Sequence, residues 1–276
     1  MNYDTICLSG GGVKGITFIG ALEYLEKIKH INMENIKNLI GTSVGSIICF
    51  ILSLNYTISE IKQFILNFDI SKLSPDLNIE NLLEKHGIDL GNRIMFVIMN
   101  FLKEKHNLDD ITFIEHYKLT QKKLTIIGTN YTKGIEEAFD YIKTPNMMVG
   151  TAIRISISIP IVFTPVHYNN DYYVDGGVTN NFPLNYCNKE TTLGLYVKWS
   201  CCNEITNIFS LSVGILNIYC DMISMKHNNN YNIIEIKNPK SEMTNFNLDK
   251  KKKQELINLG KSSAEIYIKE LANKSN

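Results

Sequence analysis

The sequence predicts an α/β protein with a mostly parallel central sheet that is covered by helices on both faces. From a first strand at residues 3–9 onward, short apolar runs alternate with longer segments whose apolar residues recur every three or four positions. Strands that alternate with helices in this way imply a parallel sheet. The 276 residues contain neither an internal repeat nor a low-complexity linker, so we expect one domain over residues 1–276.

The next elements continue this alternation. The segment Val13–Lys29 has apolar residues at helical spacing, and residues 36–41 have the composition of a second buried strand. Val44–Leu54 is largely apolar all round, which predicts a helix that is covered on most sides.

The middle of the chain carries fewer clear signals. Thr57 or Ser59 can cap a helix, and Glu60 allows a capping box with Thr57. Residues 70–120 mix polar residues with Leu and Ile around one strongly apolar helix, Arg93–Leu102. We expect a lid or an acyl-chain pocket in this region, although ordinary core packing is the preferred explanation for its apolar side chains. The candidate pocket residues are Met95, Phe96, Ile98, Met99 and Phe101.

The second half of the chain returns to regular alternation. A third core strand is predicted at residues 124–130 and a helix at Asn146–Ser156. Tyr168–Asp175 is predicted to enclose a hairpin with Asn169-Asn170 at its turn. The remaining predicted elements are strands near 193–197 and 233–236, a buried amphipathic helix within 205–223, and a terminal helix over 248–271.

The charge balance argues against a polyanionic partner. The chain has 28 basic and 28 acidic residues and a pI near 7.0, so nucleic-acid binding is not expected. Only Lys250–Lys253 form a basic run. We expect these lysines to be a solvated helix face, with docking on anionic lipid as the alternative.

Cysteine usage and hydropathy favour a cytoplasmic protein. The six cysteines include no C-x-x-C pair, and several lie within apolar runs, as expected in a reducing compartment. The chain begins at once with a core strand, so no cleavable signal peptide is expected. The segment that comes nearest to a membrane span, residues 205–223, contains Asn207, Asn217 and Asp221. These polar residues argue against a membrane span.

One serine lies between two glycines at a predicted strand-to-helix junction. In Gly41-Thr42-Ser43-Val44-Gly45, the Gly-x-Ser-x-Gly spacing has the layout of a nucleophile elbow. A Cβ atom at either glycine would collide with the adjoining strand or helix. Taken alone, the same five residues also fit an ordinary glycine turn.

A glycine-rich loop follows the first strand and begins the first helix. Gly10, Gly11, Gly12, Lys14 and Gly15 fit an anion-binding loop whose backbone N–H groups point at a ligand. They also match the Gly-x-Gly-x-x-Gly dinucleotide fingerprint. The second strand ends in the serine turn and not in an acidic residue, which argues against nucleotide binding. A phosphate-binding P-loop is excluded because no Gly-Lys-Ser/Thr follows.

An aspartate followed by a glycine pair ends the predicted hairpin. Asp175-Gly176-Gly177 would by itself be an ordinary turn. Together with the glycine loop and Ser43, it supplies what serine-dependent ester cleavage requires: a nucleophile, a base and donors for the oxyanion.

In this order, the three motifs resemble the patatin-like phospholipase family. The segment Ala152–Pro165, with Arg154, Ser156 and Ser158, looks like the stretch that precedes the family's aspartate. Asn180-Asn181-Phe182-Pro183 looks like the family's exit from that loop. The resemblance covers roughly residues 3–190 and implies a three-layer patatin-like fold.

The resemblance also implies a role for each motif residue. The backbone N–H groups of Gly11 and Gly12 would hold the oxyanion, and Gly10 would shape the loop. Lys14 would stabilise a lipid phosphate or hold the loop in place, where relatives commonly carry Arg or Lys. The mechanism requires neither a metal ion nor a cofactor. The remaining motif glycines are Gly15, Gly41, Gly45, Gly176 and Gly177.

The resemblance implies a Ser-Asp dyad, with Ser43 as nucleophile and Asp175 as base. A Ser-Asp-His triad in the usual chain order would require His227. That residue lies in a polar loop sequence, and His167, just before the hairpin, is the other candidate. For both histidines a surface position is the simpler expectation, so we predict that neither is needed.

The implied activity is that of a phospholipase A-type lipid acyl hydrolase that meets a phospholipid or other lipid ester at a membrane surface. We therefore expect a cytoplasmic protein with transient peripheral membrane association. Neutral lipids, lysophospholipids or soluble acyl esters and thioesters are alternative substrates. A catalytically silent lipid- or partner-binding module is an alternative of another class, and an activating protein partner is left open.

Overall fold

The computed structural model describes residues 2–75, 79–198, 205, 208–224, 231–237 and 246–274. Over these ranges, the predicted strands and helices are present, with further short elements between them. The strands are β1 (Thr5–Leu8), β2 (Asn38–Thr42), β3 (Gly87–Asp89), β4 (Lys123–Asn130), β5 (Ile135–Phe139), β6 (Ile161–Phe163), β7 (Val166–Tyr168), β8 (Asp171–Asp175), β9 (Thr192–Val197) and β10 (Asn232–Ile236). The helices are α1 (Ile16–Lys27), α2 (Val44–Ser53), α3 (Ile58–Asn67), α4 (Ile79–Lys85), α5 (Asn92–His106), α6 (Phe113–Thr120), α7 (Val149–Ser156), α8 (Gly177–Asn180), α9 (Ile208–Ser224) and α10 (Lys250–Lys274).

Eight strands form the central sheet, in the order β10-β9-β1-β2-β4-β8-β7 with β5 beside β4. The five strands from β10 to β4 are parallel, and β5, β7 and β8 run antiparallel to their neighbours. The small pair β3 and β6 lies apart from this sheet. The mostly parallel sheet confirms the predicted fold class.

The two faces of the sheet are covered differently. Because side chains alternate along a strand, Ile6 and Leu8 of β1 join the main core, to which helices α1, α2, α3, α5, α7 and α10 contribute. Cys7 points to the opposite face, where it packs with Phe182 and Tyr196. On that face the Tyr196 hydroxyl donates a hydrogen bond to Asp221 of α9. Helices thus cover both faces, and the fold has the three layers that were expected.

The terminal helix is fixed against the first helix by close backbone contact. A Cβ atom at Gly20 would meet the carbonyl of Ile257, and a Cβ atom at Gly260 would meet the carbonyl of Thr17. The basic run at the start of α10 differs from the expectation. Its first three lysines are exposed, but Lys253 is buried and its ammonium donates to the Phe68 carbonyl.

The middle of the chain is more regular than the sequence suggested. The Thr57–Glu60 capping box is present, and the predicted Arg93–Leu102 helix extends over Asn92–His106. Strand β5 and helix α6 were not predicted, although Thr112 and Glu115 form a second capping box at the start of α6. None of the described helices is both long and apolar enough to cross a bilayer.

Candidate active site

The serine turn holds Ser43 in a strained backbone conformation. Ser43 has φ 53° and ψ −125° between the end of β2 and the start of α2, a region that non-glycine residues rarely adopt. A Cβ atom at Gly41 would meet the backbone of Gly45, and one at Gly45 would lie 2.5 Å from the Leu8 carbonyl oxygen. Only glycine fits at both positions, as a nucleophile elbow requires.

The strand register brings Asp175 to this turn. Ile127 of β4 pairs with Thr42 and with Ala138, while Gly128 pairs with Asp175 and with Glu137. Strand β5 therefore occupies one edge of β4, and β2 and β8 share the other edge. Because β8 runs antiparallel to β4 and β2 runs parallel to it, the carboxyl ends of β2 and β8 meet. Two residues that are 132 positions apart thus become neighbours.

A direct hydrogen bond joins the two side chains. The Ser43 hydroxyl donates to Asp175 Oδ2 over 2.7 Å, and the Gly177 N–H donates to Asp175 Oδ1 over 2.7 Å. Both Ser43 and Asp175 are buried. Burial raises the pKa of Asp175 from 3.8 to about 7, although these two hydrogen bonds oppose the shift. A carboxyl with this pKa can take up and release a proton near neutral pH.

The glycine loop lies beside the serine. The Gly10 N–H donates to the Asn181 carbonyl over 2.9 Å, and a Cβ atom at Gly10 would lie 3.4 Å from the Ser43 Cβ. Gly12 has φ 54°, in the left-handed region that favours glycine, and lines the same cavity as Ser43. The Gly10 N–H therefore ties the glycine loop to the segment that follows Asp175, which leaves the N–H groups of Gly11 and Gly12 as candidate donors to an oxyanion.

The position of Lys14 does not suit the first of its two proposed roles, which is to stabilise a lipid phosphate. Its side chain is only 2 % exposed and ranks among the large, fully buried side chains. Its carbonyl accepts a hydrogen bond from the Thr17 hydroxyl. A buried ammonium is not presented to a phosphate at the protein surface, so its position favours the second role, in which Lys14 holds the glycine loop.

Ser43 lines an apolar cavity of about 1120 Å³, including its open mouth. Helices α2, α3 and α5 form its walls, together with residues 157–163 and Phe246. Of the five pocket residues proposed from the sequence, Ile98 and Phe101 line the cavity. Met95 and Met99 pack against the core, and Phe96 is 69 % exposed. The α2 stripe that lines the cavity consists of Val44, Ile47, Ile48 and Ile51.

Several residues that support the site had no role assigned from the sequence. The Ser43 N–H donates to the Ser156 hydroxyl over 2.9 Å, and the Asp175 N–H donates to the Ser158 carbonyl. Arg154 binds the Ser158 hydroxyl and the Thr164 carbonyl, and its burial lowers its pKa to about 10. Ser156, Ser158 and Arg154 lie in the motif before the hairpin, so the resemblance contained the signal that marks them.

No histidine bonds to Ser43 or Asp175 among the residues that the structure describes. His167 is exposed on β7, where its ring lies 4.9 Å from that of Tyr172. His227 lies outside the described residues. A different buried pair, His116 and Ser53, has its Nε2 and Oγ atoms 2.7 Å apart. Neither of these two residues lines the cavity that contains Ser43, so the pair is not part of the candidate site.

A family profile described as patatin-like phospholipase matches residues 6–187, which include the glycine loop, the serine turn and the Asp175 loop. The chain belongs to the patatin-like phospholipase family. The matched segment ends before β9, so the last two strands of the patatin-like sheet, together with α9 and α10, lie outside it.

The chain has relatives in viruses and in a bacterium, one of which is named a probable lipid hydrolase. The chain is 38% identical over 187 residues to the probable lipid hydrolase 463L of Invertebrate iridescent virus 6; the match covers 66% of this chain but only 62% of that protein. It is also 30% identical to protein R571 of Acanthamoeba polyphaga mimivirus, over 97% of this chain and 94% of the relative. YqhO of Bacillus subtilis is 30% identical over 95% of this chain and 97% of its own length.

Solved structures share the fold at low identity. VipD from Legionella pneumophila has a TM-score of 0.53 and 15% identity, over 94% of this chain and 67% of VipD. ExoU of Pseudomonas aeruginosa, seen in a heterodimeric complex with SpcU, has a TM-score of 0.55 and 17% identity. That match covers 97% of this chain but 51% of ExoU, so the patatin-like fold accounts for about half of the larger protein.

Proposed function

We propose that this patatin-like protein is a phospholipase A-type lipid acyl hydrolase that cleaves carboxylic esters of glycerophospholipids. The observation that carries the proposal is the 2.7 Å hydrogen bond between the Ser43 hydroxyl and Asp175 Oδ2, with Ser43 on the wall of a large apolar cavity. This combination offers an activated hydroxyl and an apolar space for an acyl chain within one site.

The reaction follows from the positions of these groups. Asp175 takes the hydroxyl proton while Ser43 Oγ attacks the ester carbonyl carbon, and the tetrahedral oxyanion forms beside the N–H groups of Gly11 and Gly12. When the C–O bond to the glycerol oxygen breaks, protonated Asp175 returns the proton to the leaving alkoxide. A water molecule, deprotonated by Asp175, then attacks the acyl-Ser43 ester. The fatty acid is released and Ser43 regains its proton.

The pKa of Asp175 suits both halves of this cycle. A carboxyl with a pKa of about 7 is sufficiently basic to accept the serine proton and sufficiently acidic to return it at neutral pH. The strained backbone of Ser43 and the hydrogen bond from its N–H to Ser156 hold the hydroxyl in position before substrate binds. Little reorganisation is therefore needed in the transition state.

The cavity supports a long acyl chain as the group transferred. From Ser43, the stripe on α2 extends to Ile51, which is about 12 Å at 1.5 Å per helical residue. This length matches about nine extended methylene groups at roughly 1.3 Å each. Burial of each methylene group is worth about 0.8 kcal/mol, so the wall favours long chains over short ones. Because such lipids reside in bilayers, the enzyme must also contact a membrane surface.

Product analysis on phospholipid vesicles tests the proposal. Wild-type protein is expected to release a free fatty acid and a lysophospholipid from a phosphatidylcholine with two distinguishable acyl chains. Ser43→Ala and Asp175→Asn are expected to release neither, because each removes one half of the pair. The same experiment reports which ester position is cleaved.

Two other outcomes would replace the proposal. Rapid turnover of a short soluble ester or thioester with no turnover of vesicles would indicate a general acyl esterase. Folded wild-type protein that turns over neither substrate and resists fluorophosphonate labelling would indicate a silent lipid- or partner-binding module.

A further inference from the structure

Helix α9 exposes four large apolar side chains on one face. Ile215, Ile218, Tyr219 and Met222 are 59, 54, 50 and 64% exposed. Their spacing of three, four and seven residues places them on one side of the helix, and we call this set the outer stripe. The exposure is continuous over two turns, unlike the single exposed apolar residues that any protein surface shows.

Besides Val213, the buried face of the same helix carries small or polar residues. Gly214, Asn217, Cys220 and Ser224 are all buried. A surface helix of a soluble protein ordinarily buries its large apolar side chains and exposes its polar ones. On α9, Asn217 and Ser224 are buried together with Val213, while four large apolar side chains are exposed, so packing within the described part of the chain does not account for the outer stripe.

The buried face of α9 lies against the candidate active site. Val213 packs with Val162 and Phe163, which line the apolar cavity. The Cys220 thiol donates to the Gly177 carbonyl over 2.9 Å, next to Asp175. Ile215 follows Val213 by two residues, or about 3 Å along the helix axis. Because two residues span about 200° around a helix, Ile215 and Val213 lie on opposite faces of α9, and the outer stripe faces away from the cavity wall.

The size and chemistry of the outer stripe fit a lipid surface better than a second protein surface. With about 200 Å² per large side chain, the four residues expose roughly 450 Å². A stable protein interface needs about 800 Å² per partner and about one hydrogen bond per 100–200 Å². The stripe offers only the Tyr219 hydroxyl. The acidic residue of this helix, Asp221, accepts a hydrogen bond from Tyr196 and does not interrupt the stripe.

We propose that the outer stripe of α9 is the surface by which this protein docks on a phospholipid bilayer. Its aliphatic side chains enter the boundary between headgroups and acyl chains, and Tyr219 lies at the headgroup level as amphipathic aromatic side chains do. The inference rests on the proposed function, because that function places the substrate in the same bilayer.

Vesicle binding by the Ser43→Ala protein tests the docking surface without turnover. The test variant adds Ile218→Ser and Met222→Ser, and the control adds Ile266→Ser on α10, where the side chain is 57% exposed. Sedimentation with neutral phosphatidylcholine vesicles is expected to show about a hundredfold weaker partitioning for the double variant, roughly tenfold per side chain. The control is expected to stay within about twofold.

Two further measurements separate docking from folding and from catalysis. With Ser43 intact, Ile218→Ser and Met222→Ser are expected to leave turnover of p-nitrophenyl butyrate within about twofold of wild type. In a Trp199→Phe background, Met222→Trp fluorescence is expected to be quenched by brominated phosphatidylcholine vesicles, whereas Ile266→Trp fluorescence is not. The quenching comparison keeps the proposal testable if the double variant fails to fold.

Two results would overturn the docking proposal. One is unchanged vesicle partitioning of the folded double variant, with equal quenching at positions 222 and 266. The other is a dimer, detected by sedimentation equilibrium, that the double variant abolishes while vesicle binding persists. The protein could also bind vesicles through the outer stripe while the wild type cleaves none of their esters. That result would refute the proposed function but not the docking surface.

Discussion

Replacement of Asp175 by asparagine is expected to stabilise the protein while it abolishes the activity. The carboxyl of Asp175 is buried, and its pKa is raised from 3.8 to about 7. Between these two values the folded state binds more protons than the unfolded state, so the free energy of unfolding falls as pH rises. An asparagine side chain does not titrate, so Asp175→Asn removes this dependence.

The size of the effect follows from the shift. At 1.4 kcal/mol per pKa unit, a shift of about three units makes the ionised carboxylate cost about 4 kcal/mol in the folded state. The amide preserves the geometry, because its oxygen can accept from the Gly177 N–H while its nitrogen faces Ser43. It cannot accept the serine proton, however, and loss of a general base typically lowers kcat by a factor of about 10² to 10⁴.

Urea unfolding of wild type and Asp175→Asn from pH 4 to 9 measures this difference. The difference in the free energy of unfolding between the variant and wild type is expected to grow by about 1.4 kcal/mol per pH unit from pH 4 to 7. Above pH 7 this difference is expected to stay constant. Groups that titrate equally in both proteins cancel in the comparison. Parallel stability curves across this range would refute the raised pKa, and retention of wild-type turnover by the variant would refute Asp175 as the base.

Further expectations follow from the same site. The kcat/KM of wild type on a soluble ester should rise with pH and level off above an apparent pKa of about 7, because only ionised Asp175 accepts the proton; a flat profile from pH 5 to 9 would contradict this. Ser156→Ala should leave the buried Ser43 N–H without its acceptor, costing about 1–3 kcal/mol of stability and lowering kcat more than it raises KM; equal stability would show that the contact is dispensable. Ile47→Trp should obstruct the cavity and lower kcat/KM for a palmitoyl ester about 50-fold through three lost methylene contacts, with butyryl turnover unchanged; parallel losses would place the acyl chain elsewhere. His167→Ala should retain most activity on vesicles and on a soluble ester. If this variant is folded but inactive, a triad would replace the dyad.

Local patterns predicted much of the fold. The helical spacing before Lys29 and the apolar run after Ser43 correctly indicated α1 and α2, and the Asn169-Asn170 turn correctly indicated the hairpin of β7 and β8. Strand β5 was missed because its Ile135–Phe139 segment contains two glutamates and an alanine, which have low strand propensity. It is held by pairing with β4, and no residue within the segment indicates that partner.

The candidate site was predicted unevenly. The glycine spacings around Ser43 marked the turn, because only glycine permits the close backbone approach on either side. The meeting of β2 and β8 at one edge of β4 depends on strand register, which the sequence does not state. Burial of Lys14 and of Asp175 is likewise a tertiary property. The sequence therefore indicated the residues of the proposed dyad, whereas the raised pKa of Asp175 depends on the fold.

Covalent labelling is the most direct test of a hydrolase built on Ser43 and Asp175. A fluorophosphonate reacts with an activated serine, and tandem mass spectrometry of the digested protein locates the adduct. The expected result is one phosphonylated residue, Ser43, with labelling abolished by Ser43→Ala and slowed at least a hundredfold by Asp175→Asn. An adduct on another residue, or labelling of Ser43 at the wild-type rate in Asp175→Asn, would contradict the proposed dyad.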